Sequence, residues 1–396
     1  MWFDKLTTNA EGGEMKAGWK MKVLGDVCDK ASSNVSQNKL HNEIGEYPIF
    51  GASGLIKNVS FYHQDKPYLS IVKDGSGVGR VTKMSAFTSV IGTLQYILPN
   101  DEIYLDYLNY SLMSVDFKKY VAGAAIPHIY FKDYKNEPFL WMPLPEQQRT
   151  VAILDQAFEG IAKARANAEQ NLQNARALFE SHLQSVFSVR GELVEGRGES
   201  WINATLGQYI KFIDYRGKTP EKTEGGLRLI TAKNVKMGYL QINPREYVAP
   251  KIYDSWMTRG IPRLGDVLFT TEAPLANVAQ LDTDEKVVFA QRIIIMQPDA
   301  SKLDSTFLKY MLLSEPIQKR IHDKGTGATV KGIKASLLKN IQISFPNSVS
   351  AQAKIVDKFD ALSAETQRLE ALYQRKIALL DELKKSLLQQ AFAGEL

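Results

Sequence analysis

The chain has 396 residues, 44% of them hydrophobic and 23% charged, with a formal net charge of +5, which is too long for one ordinary core and suits two or more folded domains. A single cysteine, Cys28, excludes a disulfide within the chain and Cys-rich metal sites, and points to a reducing compartment. No run of roughly eighteen apolar residues occurs, and the N-terminal "MWFDKLTTNAEGGEMKAGWK" lacks the apolar centre of a signal peptide, so the expected location is cytoplasmic.

In chain order, residues 1–17 read as an N-terminal tail and 18–145 as a first globular domain. Its short β-branched stretches "PYLSIVK" (67–73) and "LQYILP" (94–99) predict strands between polar turns. "DYLNYSLMSVDFKKYV" (106–121) carries apolar residues three or four apart and predicts one amphipathic helix. "GSGVGR" (75–80) has the glycine spacing of a dinucleotide fingerprint, but it lies between two strands rather than before a helix and reads as a turn. "NEPF" (136–139) approaches the Asn/Asp-Pro-Pro-aromatic motif of DNA amino-methyltransferases, but Glu137 stands where the first proline belongs.

A central helix is expected over 146–188, a linker over 189–200, a second globular domain over 201–346 and a C-terminal helix over 347–396. The second domain has strand-like "DVLFTT" (266–271) and "VVFAQRIIIMQP" (287–298), and one helix in "STFLKYMLLSEPIQKRI" (305–321). From Glu146 to about Phe187 and from Ala351 to about Phe392 there is no proline and one glycine, Gly160. Both segments predict helices of roughly 60 Å. Ile355, Phe359, Leu362, Leu369, Tyr373, Leu380, Leu383 and Leu387 form a heptad-like stripe, matched in the first helix by Ile161, Ala164, Ala168, Leu172 and Ala175.

The two halves repeat one plan. Leu24-Gly25 answers Leu206-Gly207, "YLNYSLMS" (107–114) answers "FLKYMLLS" (307–314), and "GAAIPHIYFKDYKN" (123–136) ends as "GATVKGIKASLLKN" (327–340) ends. "PEQQRTVAILDQAF" (145–158) is echoed by "SAQAKIVDKFD" (350–360), with Ile153, Leu154 and Asp155 set against Ile355, Val356 and Asp357. The middles differ freely. Since one helix leads out of the first unit and the other leads back, the pair is expected to be antiparallel about a pseudo-twofold axis. The expected fold is therefore α+β, with two tandem domains of mixed β-sheet and helices separated by two long antiparallel coiled-coil helices.

Residues 201–346 hold 21 Lys and Arg against 14 Asp and Glu, whereas 18–145 hold 13 against 12, so the basic surplus sits in the second domain and suits a polyanion. The tandem plan, "PLPEQQRTVAILDQAF" and the terminal "ALLDELKKSLLQQAFAGEL" together resemble the specificity subunit of type I restriction-modification systems, over nearly the whole chain. That resemblance implies two domains that each contact one half of a bipartite, interrupted site on double-stranded DNA. It implies helices that dock two methylation subunits and two restriction subunits. Catalysis would lie in those partners, with S-adenosylmethionine, ATP and Mg, and no cofactor is expected in this chain.

Its own chemistry agrees. There is no Walker loop, the nuclease-like "DELK" at Asp381 falls inside a helix, and His41, His63, His128, His182 and His322 have no ligand spacing. A single-chain enzyme or a coiled-coil scaffold without DNA binding are the rival readings. Phosphate contacts need cations, small hydroxyls and free amides, and base readout needs Arg, Lys, Asn or Gln. The candidates are Ser53 in "FGASG", Lys73, Ser76 and Arg80 in "VKDGSGVGR", and His128 and Lys132 after "GAAIP". In the second domain they are Arg216, Lys218 and Thr219 in "DYRGKTP", Lys233 and Asn234 in "TAKNVK", and Lys331 and Lys334 in "TGATVKGIK".

Overall fold

The computed structural model describes residues 16–123, 125–188, 200–215, 219–290, 292–327 and 329–396. The chain divides into two compact units, and neither is a simple half of the sequence: unit 1 runs to Glu169 and resumes at Gln374–Leu396, while unit 2 is Gln170–Tyr373. Each unit therefore contains the start of one long helix and the end of the other.

Unit 1 begins with β1 (Lys20–Val23), α1 (Leu24–Val27), β2 (Cys28–Ser32), β3 (Tyr47–Gly51) and β4 (Gly54–Val59). It continues with β5 (Tyr68–Val72), β6 (Val81–Met84), β7 (Ser89–Val90), β8 (Leu94–Pro99), α2 (Leu105–Ser114), α3 (Phe131–Tyr134) and β9 (Pro138–Trp141). Strand β1 pairs antiparallel with β9, closing the domain on itself. An antiparallel sheet has the order β2-β8-β5-β6, and a smaller one the order β4-β3-β7, in which β3 and β7 are parallel. Central β5 is buried at every position, which is why "YLSIV" reads as a continuous apolar run rather than an alternation.

The first long helix, α4 (Leu144–Phe187), leads into unit 2, which repeats the topology. Here β10 (Trp201–Thr205), α5 (Leu206–Tyr209), β11 (Ile210–Asp214), β12 (Leu227–Ile230), β13 (Glu246–Val248) and α6 (Tyr253–Trp256) come first. They are followed by β14 (Val267–Thr271), β15 (Leu275–Gln280), β16 (Val288–Phe289), β17 (Ile293–Pro298), α7 (Ser305–Leu313), α8 (Glu315–Lys324), α9 (Ala335–Lys339), β18 (Gln342–Pro346) and the second long helix, α10 (Val349–Ala393). The pairings β10-β18, β11-β17-β14-β15 and β13-β12-β16 match unit 1 strand for strand, including the one parallel pair. The middles that looked unrelated in sequence thus share one fold.

Three expectations are corrected. "VVFAQRIIIMQP" is two strands in two sheets, one ending at Phe289 and the other starting at Ile293, just after Arg292 at φ of 77°. The helix expected over 305–321 is two, broken at Ser314, whose extended backbone is followed by Pro316 in the first turn of α8. In unit 1 the helix stops at Ser114 and a 3-10 turn, Phe117–Tyr120, follows.

A fourth correction concerns the repeated phrase. Gln147 and Gln352 are fully buried and make the same three bonds: one side-chain oxygen accepts from Tyr104 N–H or Asp304 N–H (2.8 Å each), and the amide donates to Glu102 and Met142 carbonyls or to Lys302 and Pro346 carbonyls. Tyr110 donates to Asp155 as Tyr310 donates to Asp360. The structural partner of Leu154 is therefore Phe359, and that of Asp155 is Asp360, not Asp357. A three-residue offset is close to one helical turn, so it keeps the apolar pattern nearly intact and misleads a reading by pattern alone.

Within each unit the helices run antiparallel. In unit 1, Leu154 packs with Leu388 and Ala391, and Arg165 pairs with Asp381. In unit 2, Phe187 stacks on Phe359 at 5.9 Å and Arg176 pairs with Glu370 at 2.7 Å. The heptad stripe drifts, as a straight helix must against a seven-residue repeat. Leu383 is 46% exposed, and Leu388 and Ala391 take the buried places.

Candidate nucleic-acid interface

Backbone hydrogen bonds allow the two units to be aligned residue by residue. After β5, Lys73 N–H donates to Thr93 O (3.0 Å); after β14, Thr271 N–H donates to Arg292 O (2.9 Å). Ile129 N–H then donates to Lys73 O (2.9 Å), and Ile333 N–H to Thr271 O (3.0 Å). Ala122 and His128 exchange both backbone bonds, as do Thr326 and Gly332. Lys73, Asp74, Thr93, Gly123, Ile126 and His128 thus occupy the places of Thr271, Glu272, Arg292, Gly327, Val330 and Gly332.

The hairpin in each unit is fixed by its glycine. Gly123 and Gly327 have φ of 88° and 120°, and an added Cβ would lie 2.4 Å from Ile126 O or 2.1 Å from Val330 O. Conformation and space both demand glycine there. The hairpin lies against the turn after β5 or β14, through the bridges Asp74–His128 and Glu272–Gly332.

Beside this turn each unit has a cleft. In unit 1 it measures about 260 Å³ and lies between the β3–β4 turn and β5–β6, with Ser53, Ser70, Arg80 and Thr82 in its lining. Arg80 donates across it to the Ala52 carbonyl. In unit 2 it measures about 220 Å³ and lies between the end of β12 and the β14–β15 turn, lined by Thr219, Lys222, Lys233, Glu246, Ala273 and Arg292. Since β3 corresponds to β12, and β5–β6 to β14–β15, the two clefts are the same place in the repeat.

Four of the sequence candidates line these clefts, and others lie on the neighbouring turns and hairpins. Ser53 and Arg80 line the first cleft, Ser76 is exposed on the adjoining turn, and Lys73 sits 3.8 Å from Asp74. His128 is half-buried with its ring 4.9 Å from that of Tyr130, and Lys132 Nζ lies 5.3 Å from the centre of the same Tyr130 ring. Thr219 and Lys233 line the second cleft, and exposed Lys331 and Lys334 belong to the second hairpin and the start of α9. Arg216 and Lys218 lie outside the described residues.

Asn234 is corrected. It is 1% exposed, its side-chain oxygen accepts from Thr231 N–H and Oγ1 (3.0 Å each), and its amide donates to the Gln241 and Pro244 carbonyls. With all four hydrogen-bonding positions occupied, it builds the loop and has nothing left for a base.

Sequence reasoning missed Arg292, Glu272 and Lys222. Arg292 Nε is 3.1 Å from Glu272 Oε1, and Lys222 is 2.8 Å from Glu246. Their signal was positional: Arg292 and Thr93 each stand one residue before a strand that ends in proline, "LQYILP" or "IIIMQP". Among the described residues no group of three His, Cys, Asp or Glu is placed to hold a metal ion, and no helix is long and apolar enough to cross a membrane.

The family model for the type I restriction modification DNA specificity domain matches twice, at residues 16–170 and 217–379. The chain belongs to that family. Among related specificity-domain proteins, the type I restriction enzyme MjaVIII specificity subunit of Methanocaldococcus jannaschii is 22% identical over 315 residues, 75% of this chain and 70% of that protein. The EcoDI specificity subunit of Escherichia coli is 20% identical over 416 residues, 97% of this chain and 90% of that protein. The fold is shared with a chain from a structure of complex assembly and conformational transition in the type I R-M system, at a TM-score of 0.73, 19% identity, and coverage of 97% of this chain and 100% of that one. It is also shared with the HsdS subunit of Thermoanaerobacter tengcongensis, at a TM-score of 0.60, 18% identity, and coverage of 97% and 98%. The two family matches fall one in each repeat, each spanning a hairpin and its cleft.

Proposed function

We propose that this chain is the DNA-recognition subunit of a type I restriction-modification complex, each unit reading one half of a bipartite, interrupted site. One observation carries the reading: two copies of one hydrogen-bonded frame present different polar side chains at the same cleft and hairpin. A repeated scaffold with interchangeable contacts suits two readers of two different half-sites. The basic surplus of residues 201–346 adds the attraction to phosphate that any such reader needs.

The chain has no catalytic role in this reading. The long helices dock two methylation subunits and two restriction subunits, and S-adenosylmethionine, ATP and Mg belong to those partners. Selection from a random duplex pool by the full chain co-expressed with its methylation subunits tests the proposal. An enriched motif of two fixed half-sites around an unspecified spacer is expected. Absence of any salt-dependent DNA retention would leave a coiled-coil scaffold as the better account.

A further inference from the structure

At the position shared by Thr93 and Arg292 the two frames agree and the side chains differ. Both carbonyls accept the amide that follows the central strand, from Lys73 at 3.0 Å and from Thr271 at 2.9 Å, so the backbone task is the same. A threonine performs it in unit 1. In unit 2 the residue is an arginine at φ of 77°, a left-handed backbone that disfavours any residue with a Cβ. Ala273, at φ of 45°, faces the same cleft. Strained non-glycine residues persist where the surroundings enforce them, and such places cluster at functional sites.

The geometry of the arginine completes the case. Glu272 Oε1 holds Nε at 3.1 Å, and among the described residues no hydrogen bond engages the terminal nitrogens of the guanidinium. The Nε side of the guanidinium is thus paired with Glu272, and its terminal nitrogens are left for a ligand at a cleft of about 220 Å³ that Arg292 lines together with Lys222 and Lys233. Two parallel N–H donors match the O6 and N7 acceptors of guanine in the major groove. We propose that Arg292 reads a guanine in the half-site of unit 2 and that Glu272 is its positioning residue. The proposal rests on the DNA-recognition reading above and adds a base to it. A phosphate would also accept a fork. What favours a base is that the side chain changes between two units whose frame does not, as a reader of sequence must and a backbone clamp need not.

The test uses the full chain in complex with its methylation subunits, with selection from a random duplex pool. Arg292→Gly removes the fork and leaves a residue that adopts this φ freely, so folding is not put at risk. The expected result is a motif unchanged in one half and relaxed at a single guanine in the other, with discrimination at that base pair reduced about tenfold or more. Glu272→Gln should relax the same position by less. In binding assays on the selected site, 7-deazaguanine at that position should weaken the parent complex and leave Arg292→Gly indifferent. An unchanged motif overturns the proposal. So does a uniform loss of affinity with a salt slope lowered by about one, which would make Arg292 a phosphate contact. If the parent complex enriches no sequence, the recognition reading itself falls and this proposal with it, an outcome distinct from either of the others.

Discussion

The turns after β5 and β14 differ as much as two loops can while serving one frame. Unit 1 uses "KDGSGVGR", with Gly75 and Gly79 at φ of 97° and 86°, and Gly79 approaches Phe117 so closely that a Cβ would lie 2.6 Å from it. Unit 2 turns within "EAP". Yet the amide leaving each strand, the carbonyl it meets and the hairpin bonded to it are the same. Backbone bonds are indifferent to side chains, so a frame built from them tolerates replacement of the contacts it displays. The clefts differ accordingly: a cationic side chain bonded to a carbonyl in unit 1, and two cation–carboxylate pairs in unit 2.

If the frames are equivalent, matched core substitutions should differ only by local packing. Phe359 is fully buried and contacts Tyr310 at 4.9 Å and Phe187 at 5.9 Å, while its counterpart Leu154 sits in a smaller cluster with Leu388 and Ala391. Phe359→Ala should destabilise unit 2 by about 3–5 kcal/mol, and Leu154→Ala unit 1 by about 2–4 kcal/mol. Hydrogen exchange resolved by unit measures both. A larger loss in unit 1 would break the proposed correspondence.

The buried glutamines give a stricter comparison. Gln147→Ala and Gln352→Ala each leave three backbone groups unpaired, and the bonds they lose are alike to within about 0.2 Å. Each should cost about 2–3 kcal/mol, equal in the two units. Clearly unequal losses would mean that the frames differ where their hydrogen bonds coincide.

The sequence displayed the long helices fully, because absence of proline and an apolar stripe suffice for them. It displayed β5, β8 and β14 because buried central strands read as apolar runs. It hid the common topology of the middles, since two-residue strands such as β7 and β16 leave no periodicity. It also misplaced the helical phrase, since the bonds of Gln147 and Gln352, not the apolar pattern, set the register. At the interface, Lys331 and Asn234 looked alike as polar loop residues. Only their surroundings separate them: one is exposed and the other closed on itself by four bonds.

That contrast is testable. Lys331→Ala should leave stability unchanged and lower the salt slope of DNA binding by about one, with half-site sequences retained. Asn234→Ala should instead destabilise unit 2 by about 1–3 kcal/mol and leave the slope alone, because it orphans the partners of a buried amide. Thermal unfolding and a salt titration on the same two variants give the answer, and a slope change from Asn234→Ala would return it to the interface.

The smallest expected effect separates the units by pH. In unit 1, burial lowers the pKa of His63, whose Nδ1 lies 3.0 Å from the Tyr96 hydroxyl. A depressed histidine stabilises the fold above its ordinary value near about 6.5, and that contribution is lost as pH falls through the lowered value. In unit 2, burial raises the pKa of Asp266, with bonds from Gln297 (2.6 Å) and Arg263 N–H (2.7 Å) only partly opposing it. A raised carboxyl contributes stability that is fully present below its ordinary value of 3.8 and is lost as pH rises through the raised one. Acidification from neutrality should therefore weaken unit 1 through His63 and favour unit 2 through Asp266. Comparing His63→Gln and Asp266→Asn with the parent chain isolates each residue from the remaining carboxylates. His63→Gln should reduce the acid loss in unit 1, and Asp266→Asn should remove a gain in unit 2. Parent-minus-variant stability that moves with pH in the same direction for both residues would show that burial does not set their opposite shifts.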